Sequence, residues 1–361
     1  MLNIIAFFTV AVGFIQSFLF AAHWTLYKSI VRFFNLENRT IIYYLKILFG
    51  FLAVSFVLAS LLSFRYDNLP VRLFYNFSAG WLGFLYLLLI ASAFTWIIIR
   101  AGEYWNFRLD EKILFSVLGT LAIMAGVVGL VNANNVQITK LSIKLNNLPE
   151  SWKGKTAVWV SDIHLGQVRG ENFSQKVADK ITAIKPDIVF VGGDLFDGVA
   201  GDLDNLVKPF SRLKAPLGVF YITGNHEEFD GNEQYLAAAK RAGMQILDNK
   251  SKDIDGVYLV GVDYRDTFNR EAYQKVLNNF DIPRNEPVIL LKHSPYYVEE
   301  SAKAGVDFQL SGHTHNGQVF PMNYLHKLIF YGYEFGLNKS GNLLIYTSGG
   351  AGTWGPPFRF G

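Results

Sequence analysis

The residues best suited to chemistry are five polar clusters, each placed after a run of residues typical of a β-strand. They are Ser161-Asp162-Ile163-His164, Gly192-Gly193-Asp194, Gly224-Asn225-His226-Glu227, Lys292-His293-Ser294 and Gly312-His313-Thr314-His315. Asp162, Asp194 and Asn225 follow one another at steps of 32 and 31 residues, the length of one βαβ unit. Because ligands bind at the carboxyl ends of the strands in open α/β sheets, we predict that the clusters converge in space.

Histidine is concentrated in these clusters, which hold five of the seven histidines; only His23 and His326 lie elsewhere. Asp-x-His and His-x-His spacings allow two side chains of one turn to bind the same cation, and the Asp194 carboxylate offers two oxygens for bridging two cations. The absence of cysteine excludes a thiolate site. We therefore predict a site for two hard or borderline divalent ions. Its candidate ligands are Asp162, His164, Asp194, Asn225, His293, His313 and His315.

A dinuclear site of this kind predicts phosphoryl chemistry. Two cations about 3.5 to 4 Å apart clamp a phosphoryl group and convert a water between them into hydroxide, which attacks phosphorus in line. His226, next to Asn225, is placed to donate a hydrogen bond or a proton to the leaving oxygen, so the predicted catalytic residues are His226 and Asp194. Glycines such as Gly193 allow a substrate to approach closely. We predict that Asp197 and Glu227 cap a helix or orient a ligand rather than bind metal.

The elements that must position these clusters alternate between strands and helices, which predicts a layered α/β fold. The predicted strands are 156–161, 188–192, 219–223, 257–261, 288–291 and 343–347. The predicted helices are 172–184, 203–213, 233–242, 270–280 and 295–304. Residues 145–149 resemble a hinge into the first strand, and we find no internal repeat.

The amino-terminal third is different in composition. Residues 1–131 hold nine Lys/Arg and five Asp/Glu, whereas the remaining 230 hold 24 and 25. Four apolar runs reach the length of about 20 residues that a membrane helix needs: 2–22, 41–64, 81–99 and 113–131. The pI of 8.7 belongs to this apolar part, where the cations flank the predicted spans, so it gives no support for a nucleic-acid partner.

The distribution of Lys and Arg in the short loops predicts the orientation. The loops after the first and third spans carry six or seven such residues, and the other side carries four. By the positive-inside rule, spans one and three end in the cytoplasm and residues 132 onward lie outside it. We expect a multi-pass protein of a bacterial inner membrane. Its parts are a membrane domain (1–131), a linker with a first strand (132–155) and a catalytic domain (156–361).

The five clusters resemble the calcineurin-like metallophosphoesterase superfamily, whose D-x-H, GD, GNH, H and GHxH blocks match SDIH, GGD, GNHE, KHS and GHTH here. The segments SDIHLG, SGHTHNGQVFP and TSGGAGTWGPPFRFG are most similar to its bacterial membrane-associated YkuE/YaeI branch. The resemblance covers about residues 136–361. It implies a four-layer αββα sandwich, with two divalent ions drawn from Mn²⁺, Fe, Zn²⁺ and Mg²⁺, of which we favour Mn²⁺.

The resemblance also implies individual roles. Asp162, His164, Asp194 and His315 would hold one ion, and Asp194, Asn225, His293 and His313 the other. His226 would be the acid or transition-state donor. Asn316 stands where the branch usually has glycine, so its side chain is expected at the substrate entrance. The expected substrate-binding residues are Gly193, Asn225, His226 and Asn316.

Two other features depart from that branch. The chain stops at Gly361, where members usually continue into a final strand, and it has four predicted spans, where one segment is typical. The sequence leaves the oligomeric state open.

Three functions follow as hypotheses. The first is a membrane-bound phosphomonoesterase or phosphodiesterase acting on a lipid or lipid-linked head group, with the apolar stretch 319–333 either dipping into the interface or forming a hairpin packed on the core. A specific alternative is hydrolysis of a UDP-diacylglucosamine-type pyrophosphate, which requires a cytoplasmic domain. The other classes are a non-catalytic scaffold or sensor that keeps the metal site, and a channel, for which the spans offer no charged path.

Overall fold

The computed structural model describes residues 2–198, 201–228, 231–283 and 285–360, with only the backbone of residues 2–9 and 11. The chain forms two compact units. The first comprises Met1–Asn132 with Gly355–Phe358, and the second comprises Ala133–Trp354 with Arg359–Gly361.

The first unit consists of long apolar helices: α1 (Leu2–Phe33), α2 (Arg39–Ser63), α3 (Leu69–Tyr104) and α4 (Glu111–Ala133). Within the described residues, three of them, α2 to α4, are long and apolar enough to cross a membrane, not the four that we predicted. The predicted span 2–22 falls in α1, and ten of the side chains between residues 1 and 11 lie outside the described part. The length and apolar composition of these helices therefore indicate a membrane protein. Three of the predicted spans are supported in this way.

Polar caps explain where these helices begin. The Asn38 side chain accepts hydrogen bonds from the backbone of Thr40 and Ile41, and Asn68 accepts one from Val71. An asparagine at this position satisfies amide groups that have no partner within the helix. This cap starts α3 at Leu69, twelve residues before the predicted span.

Polar side chains inside the first unit bond to one another. His23 is buried: its Nδ1 lies 2.7 Å from the Leu19 carbonyl oxygen, and its Nε2 accepts a hydrogen bond from Trp81 at 2.9 Å. Both ring nitrogens therefore have partners within the first unit. Buried polar groups are retained where they are satisfied in this way.

The second unit contains two sheets among its described residues. The first is wholly parallel and has the order β1-β2-β3-β4, with β1 at Ala157–Val160, β2 at Ile188–Gly192, β3 at Val219–Ile222 and β4 at Gln245–Ile246. The second has the order β5-β6-β7-β8-β10-β9. Its strands are β5 (Lys250–Ile254), β6 (Val257–Gly261), β7 (Val288–Leu291), β8 (Phe308–Ser311), β9 (Gly336–Ser340) and β10 (Leu343–Thr347).

Three apolar clusters bind these sheets to helices. The helices are α5 (Glu171–Ile184), α6 (Leu203–Val207), α7 (Glu233–Arg241), α8 (Arg270–Asn278), α9 (Val298–Lys303) and α10 (Met322–Ile329). Val189 and Val191 of β2 pack with α5 and α7, whereas the alternate residues Ile188 and Phe190 pack with β6, β7 and β8. The third cluster joins the second sheet to α8 and α9. Alternate residues of β2 therefore pack into different apolar clusters, because successive side chains of a pleated strand point to opposite faces of the sheet.

All six predicted strands are present, whereas β4, β5, β8 and β9 were missed. β5 is exposed except at Ile254, and β4 has only two residues, so neither carries an apolar pattern. The first strand expected in residues 132–155 was wrong, since no strand forms there; α4 ends at Ala133 and a 3-10 turn lies at Glu150–Trp152. Of the two alternatives for 319–333, the core-packed hairpin does not form, because the stretch contains helix α10.

Candidate metal centre

Parallel pairing brings the predicted ligands to one edge of each sheet. Val160 of β1 pairs with Val191 of β2, and Gly192 pairs with Ile222 of β3, so these strands end level with one another. The turns after them carry the predicted ligands Asp162, His164, Asp194 and Asn225. The turns after β7 and β8 carry His293, His313 and His315 in the same way. All seven therefore lie at carboxyl ends of strands, although the bounds of β8 were not predicted.

The backbone at these turns is strained. Asp162, His164, Asp194, His313 and His315 all have φ between +50° and +71°, the left-handed region that favours glycine. Each such residue costs about 1–2 kcal/mol relative to a relaxed conformation, and strain of this kind collects at functional sites. The side chains at these positions must therefore contribute interactions that glycine lacks.

One group of donor atoms consists of Asp162, His164 and His315, all within 4.8 Å of one another. The Nε2 atoms of His164 and His315 are 3.0 Å apart, and the His315 Nε2 lies 3.6 Å from Asp162 Oδ1. Asp194 Oδ2 lies 3.7 Å from the His164 Nε2. The four residues that the family resemblance assigns to the first ion are thus gathered around one point.

A second group consists of Asp194, His293 and His313. The His293 Nε2 lies 3.3 Å from Asp194 Oδ2, and the His313 Nδ1 lies 2.8 Å from Asn225 Oδ1. A third group, of His164, Asp194 and His226, shares His164 with the first group and Asp194 with the second. Asp194 therefore lies close to donor atoms of both predicted ion sites.

These donor atoms fit divalent cations. Asp162 Oδ2, His293 Nε2 and His315 Nδ1 are buried and have no hydrogen-bond partner. Ligands at about 2.1 Å from one ion stand about 3.0 to 3.5 Å apart, and the distances given above fall in or near that range. Imidazole with carboxylate and amide oxygens is a donor set for borderline divalent metals.

Burial and mutual charge move the pKa values in this cluster apart. Burial alone would raise the pKa of Asp194, but the imidazoles of His293 and His226 hold it well below its usual range. For His293, burial is outweighed by Asp194 and Asp162, which raise its pKa to about 9. Burial lowers the pKa of His313 to about 3, with the charge on His293 as the next cause. Opposed protonation states at short range are typical of functional sites.

Asp197 and Glu227 support this cluster from outside the three donor groups found among the described residues. Asp197 Oδ1 lies 3.2 Å from the His164 Nδ1, and its backbone oxygen lies 3.0 Å from the His226 Nδ1. The Glu227 carboxylate accepts backbone hydrogen bonds from Asp194, Phe196 and Gly224, at 2.9, 2.9 and 2.7 Å. These contacts favour the orienting role that we predicted for both residues.

Three further residues, His226, Gly193 and Asn316, were predicted to contact the substrate. The His226 ring lies edge-on to the His164 ring at 4.6 Å between centroids. At Gly193 a Cβ would stand 2.6 Å from the His293 Nδ1, so no side chain fits there. Asn316, at φ 49°, is partly exposed in the turn after His315. A substrate contact by any of them stays a prediction.

The sequence did not indicate two residues beside the cluster. The Tyr264 ring lies 5.7 Å from the His293 ring and 5.8 Å from the His313 ring. The Arg359 guanidinium donates to the carbonyl oxygens of Gly350, at 2.9 Å, and Gly352. The available signal for Tyr264 was its position directly after Gly261-Val262-Asp263, at the end of a predicted strand. The predicted ligands also follow strand ends. For Arg359 the signal was a lone cation in a glycine-rich segment.

Asp248 provides a pH-dependent prediction. Its Oδ1 accepts a hydrogen bond from the backbone of Thr223, which leads into the Gly224-Asn225 turn, and burial raises its pKa to about 7. The folded state therefore keeps a proton between about pH 4 and 7 that the unfolded state has lost, so stability falls as pH rises through that window. We expect Asp248→Asn to leave the free energy of unfolding unchanged near pH 4 and to raise it by about 1–2 kcal/mol at pH 8.

Thermal unfolding of the whole chain at both pH values measures this difference. Asp255→Asn is the matched control, since Asp255 is exposed. Equal gains for Asp248→Asn at pH 4 and pH 8 would contradict the proposed proton linkage.

Comparison with known proteins identifies the family. The calcineurin-like phosphoesterase family matches residues 156–317. A metallophosphoesterase of Campylobacter jejuni is 30% identical over 348 residues, covering 92% of this chain and 90% of the relative. A Danio rerio protein described as a transmembrane protein with metallophosphoesterase domain is 30% identical over 319 residues, covering 83% and 70%. YkuE of Bacillus subtilis is 26% identical over 251 residues, covering 62% and 82%, which confirms the predicted resemblance.

The chain spans about 60% of the length of the Helicobacter pylori metallophosphoesterase with which it shares 35% identity over 232 residues. A domain of this family implies binding of divalent metal ions, and His/Asp groups able to hold them are present. Sequence similarity over nine-tenths of the Campylobacter relative agrees with the five sequence blocks and with the convergence of their side chains. The chain therefore belongs to the calcineurin-like metallophosphoesterase family.

Proposed function

We propose that this chain is a membrane-bound, metal-dependent phosphoesterase that hydrolyses a phosphomonoester or phosphodiester of a lipid or lipid-linked head group. The observation that carries the proposal is the convergence of Asp162, His164, Asp194, His293, His313 and His315 in two donor groups, which a third group with His226 links through His164 and Asp194. In the part of the chain that the structure describes, three helices are long and apolar enough to cross a membrane. A hydrolase held at the bilayer by such helices meets lipid phosphates at high local concentration.

The donor residues would divide as the family resemblance implies, with Asp194 shared between two ions, of which Mn²⁺ is our preferred choice. When bound there, two divalent ions would supply charge that polarises a phosphoryl oxygen and lowers the pKa of a water. The chain's own part is to hold the donor groups close together in a buried site, where charges interact strongly.

His226 is the proposed proton or hydrogen-bond donor to the leaving oxygen. Its Nδ1 is engaged with the Asp197 backbone oxygen, so the donated proton must come from Nε2. Asp197 Oδ1 also lies 3.4 Å from the His226 Nδ1. Gly193, Asn225 and Asn316 complete the proposed substrate contacts.

Two structural proposals accompany this function. The three apolar clusters support a four-layer αββα arrangement, because one cluster joins both sheets and the others join a sheet to helices. The distribution of Lys and Arg in the loops supports a catalytic domain on the extracytoplasmic side of a bacterial inner membrane. A cytoplasmic domain would instead favour the UDP-diacylglucosamine-type pyrophosphate reaction.

Hydrolysis by the full chain in nanodiscs, followed as released phosphate or p-nitrophenol, tests the function. The assay contains Mn²⁺ and compares phosphatidic acid and a lipid pyrophosphate with p-nitrophenyl phosphate, bis-p-nitrophenyl phosphate and nucleotides, with His226→Ala as the reference variant. We expect the lipid esters to be hydrolysed at least about ten times faster, since the membrane holds enzyme and substrate together. Faster hydrolysis of soluble esters would contradict a lipid substrate, and the absence of hydrolysis would favour the scaffold hypothesis.

A further inference from the structure

One stretch of the second unit exposes an unusual amount of apolar surface. Among the described residues between Ala133 and Trp354, twelve large hydrophobic side chains are exposed, and eight of them lie between Phe320 and Leu337. Leu328 is 75% exposed and Tyr331 is 84% exposed. Helix α10, within this stretch, has no buried residue. We call residues 320–337 the apolar segment.

The apolar segment is held by ordered contacts. The Phe330 ring is 5% exposed and packs 4.7 Å from the Tyr296 ring. Thr314 donates a hydrogen bond to the Glu334 backbone oxygen at 2.6 Å, and the segment ends in β9, which pairs with β10. Since Phe330 is fixed inward, the exposed side chains of Leu328 and Tyr331 are presented outward on a fixed frame.

The occupant of this surface follows from the rest of the chain. Helices α2 to α4 are apolar enough to cross a membrane, and α4 ends at Ala133, where the second unit begins. The chain therefore passes directly from a helix that could cross a membrane into the second unit. Aromatic and aliphatic side chains beside a cation such as Lys327 are typical of helices that lie in the membrane interface.

We propose that the apolar segment inserts into the interface of the bilayer that holds the chain's apolar helices. The segment follows His315 and the turn around Asn316, and the Phe330 ring lies 6.0 Å from the His313 ring. An inserted segment would hold the predicted metal centre beside lipid head groups. Insertion itself does not depend on hydrolysis, whereas this consequence rests on the proposed function.

Site-directed spin labelling tests the insertion directly, because the chain has no native cysteine. Leu328→Cys and Tyr331→Cys are labelled in liposomes, with Lys275→Cys, exposed on α8, as the matched control. We expect the ratio of collision with oxygen to collision with a water-soluble nickel complex to be several-fold higher at 328 and 331 than at 275. Equal ratios at the three positions would overturn the proposal.

Contact with a second copy of the chain is the competing outcome. It would exclude both collision reagents and give spin–spin coupling that disappears on mixing with unlabelled protein, and it too would overturn insertion. All labelled positions are exposed, and thermal unfolding confirms that the variants fold.

A functional readout separates insertion from substrate choice. We expect the double variant Leu328→Ser/Tyr331→Ser to hydrolyse soluble p-nitrophenyl phosphate at the unmodified rate and to lose about tenfold in the rate on vesicle-bound phosphatidic acid. If labels insert but no lipid ester is hydrolysed by any form, the segment binds the bilayer and the lipid-substrate proposal fails. If lipid hydrolysis is unchanged in the double variant and the labels stay in water, only the insertion proposal fails.

Discussion

Asp194→Asn is expected to lower phosphoester hydrolysis by about 1,000-fold or more, the scale seen when one member of a catalytic unit is removed. Asp194 takes part in two of the three donor groups that hold the proposed ligands. The remaining group shares His164 with one of these two. Asparagine has the same shape but carries one oxygen and no charge. The variant therefore loses the bridging carboxylate with little change in volume.

The folded structure should survive this change. Asp194 Oδ1 accepts a hydrogen bond from the His226 backbone at 2.9 Å, and an asparagine Oδ1 can accept the same bond. Burial alone would raise the pKa of this carboxyl, but the neighbouring imidazoles hold it well below its usual range, so removing the charge lowers stability. We expect Asp194→Asn to fold, with an unfolding temperature without added metal below that of the unmodified chain.

Phosphate release and metal content, the latter by mass spectrometry of the purified chain, measure the two effects together. Asp281→Asn, at an exposed position outside the cluster, is the matched control and should change neither. Full hydrolysis by Asp194→Asn with reduced metal would refute the proposed role of this residue. Full metal content with no hydrolysis would confine the role to the reaction.

The sequence predicted the centre of the second unit better than its edges. Residues 188–192, 257–261, 288–291 and 343–347 form strands with the predicted bounds, because each is a short β-branched or aliphatic run between polar or turn-forming residues. The helix expected at 203–213 is shorter and ends at Val207, since Pro209 has no amide hydrogen to continue it. Edge strands such as β5 carry polar side chains on exposed faces and give no such signal.

The candidate site was predictable for a related reason. Asp162, Asp194 and Asn225 follow three strands of one parallel sheet, and parallel pairing alone brings such positions together. The backbone bonds that Glu227 accepts were not predictable, because they depend on the approach of two turns that are about 30 residues apart. Arg359 and Tyr264 lie beside the centre through loops whose paths no local pattern specifies.

Glu227→Gln is expected to weaken metal binding by about 10- to 100-fold, the range found when a group that orients metal ligands is altered. The Glu227 carboxylate joins the turn of Asp194 and Phe196 to that of Gly224 through three backbone hydrogen bonds. Burial, together with the charge on Asp194, raises its pKa to about 7. A glutamine has one acceptor oxygen, so its amide group must face an N–H group that the carboxylate had satisfied.

The size of the effect should grow with the number of bonds lost. Glu227→Ala leaves all three N–H groups without this acceptor, and an unsatisfied buried donor costs about 1–3 kcal/mol. We therefore expect Glu227→Ala to lower the unfolding temperature clearly and Glu227→Gln to lower it less. Glu228→Gln is the matched control, because the neighbouring carboxylate bonds to Asn232 and Arg265 instead.

The decisive measurement is hydrolysis as a function of Mn²⁺ concentration. If Glu227 positions the ligand turns, Glu227→Gln should need more Mn²⁺ for half-maximal activity and recover most of the unmodified rate at saturation. A lower rate at saturating Mn²⁺ with unchanged metal affinity would place Glu227 in the reaction itself. The three backbone bonds argue for the first result, since they leave the carboxylate little capacity for substrate while they fix the distance between Asp194 and Asn225.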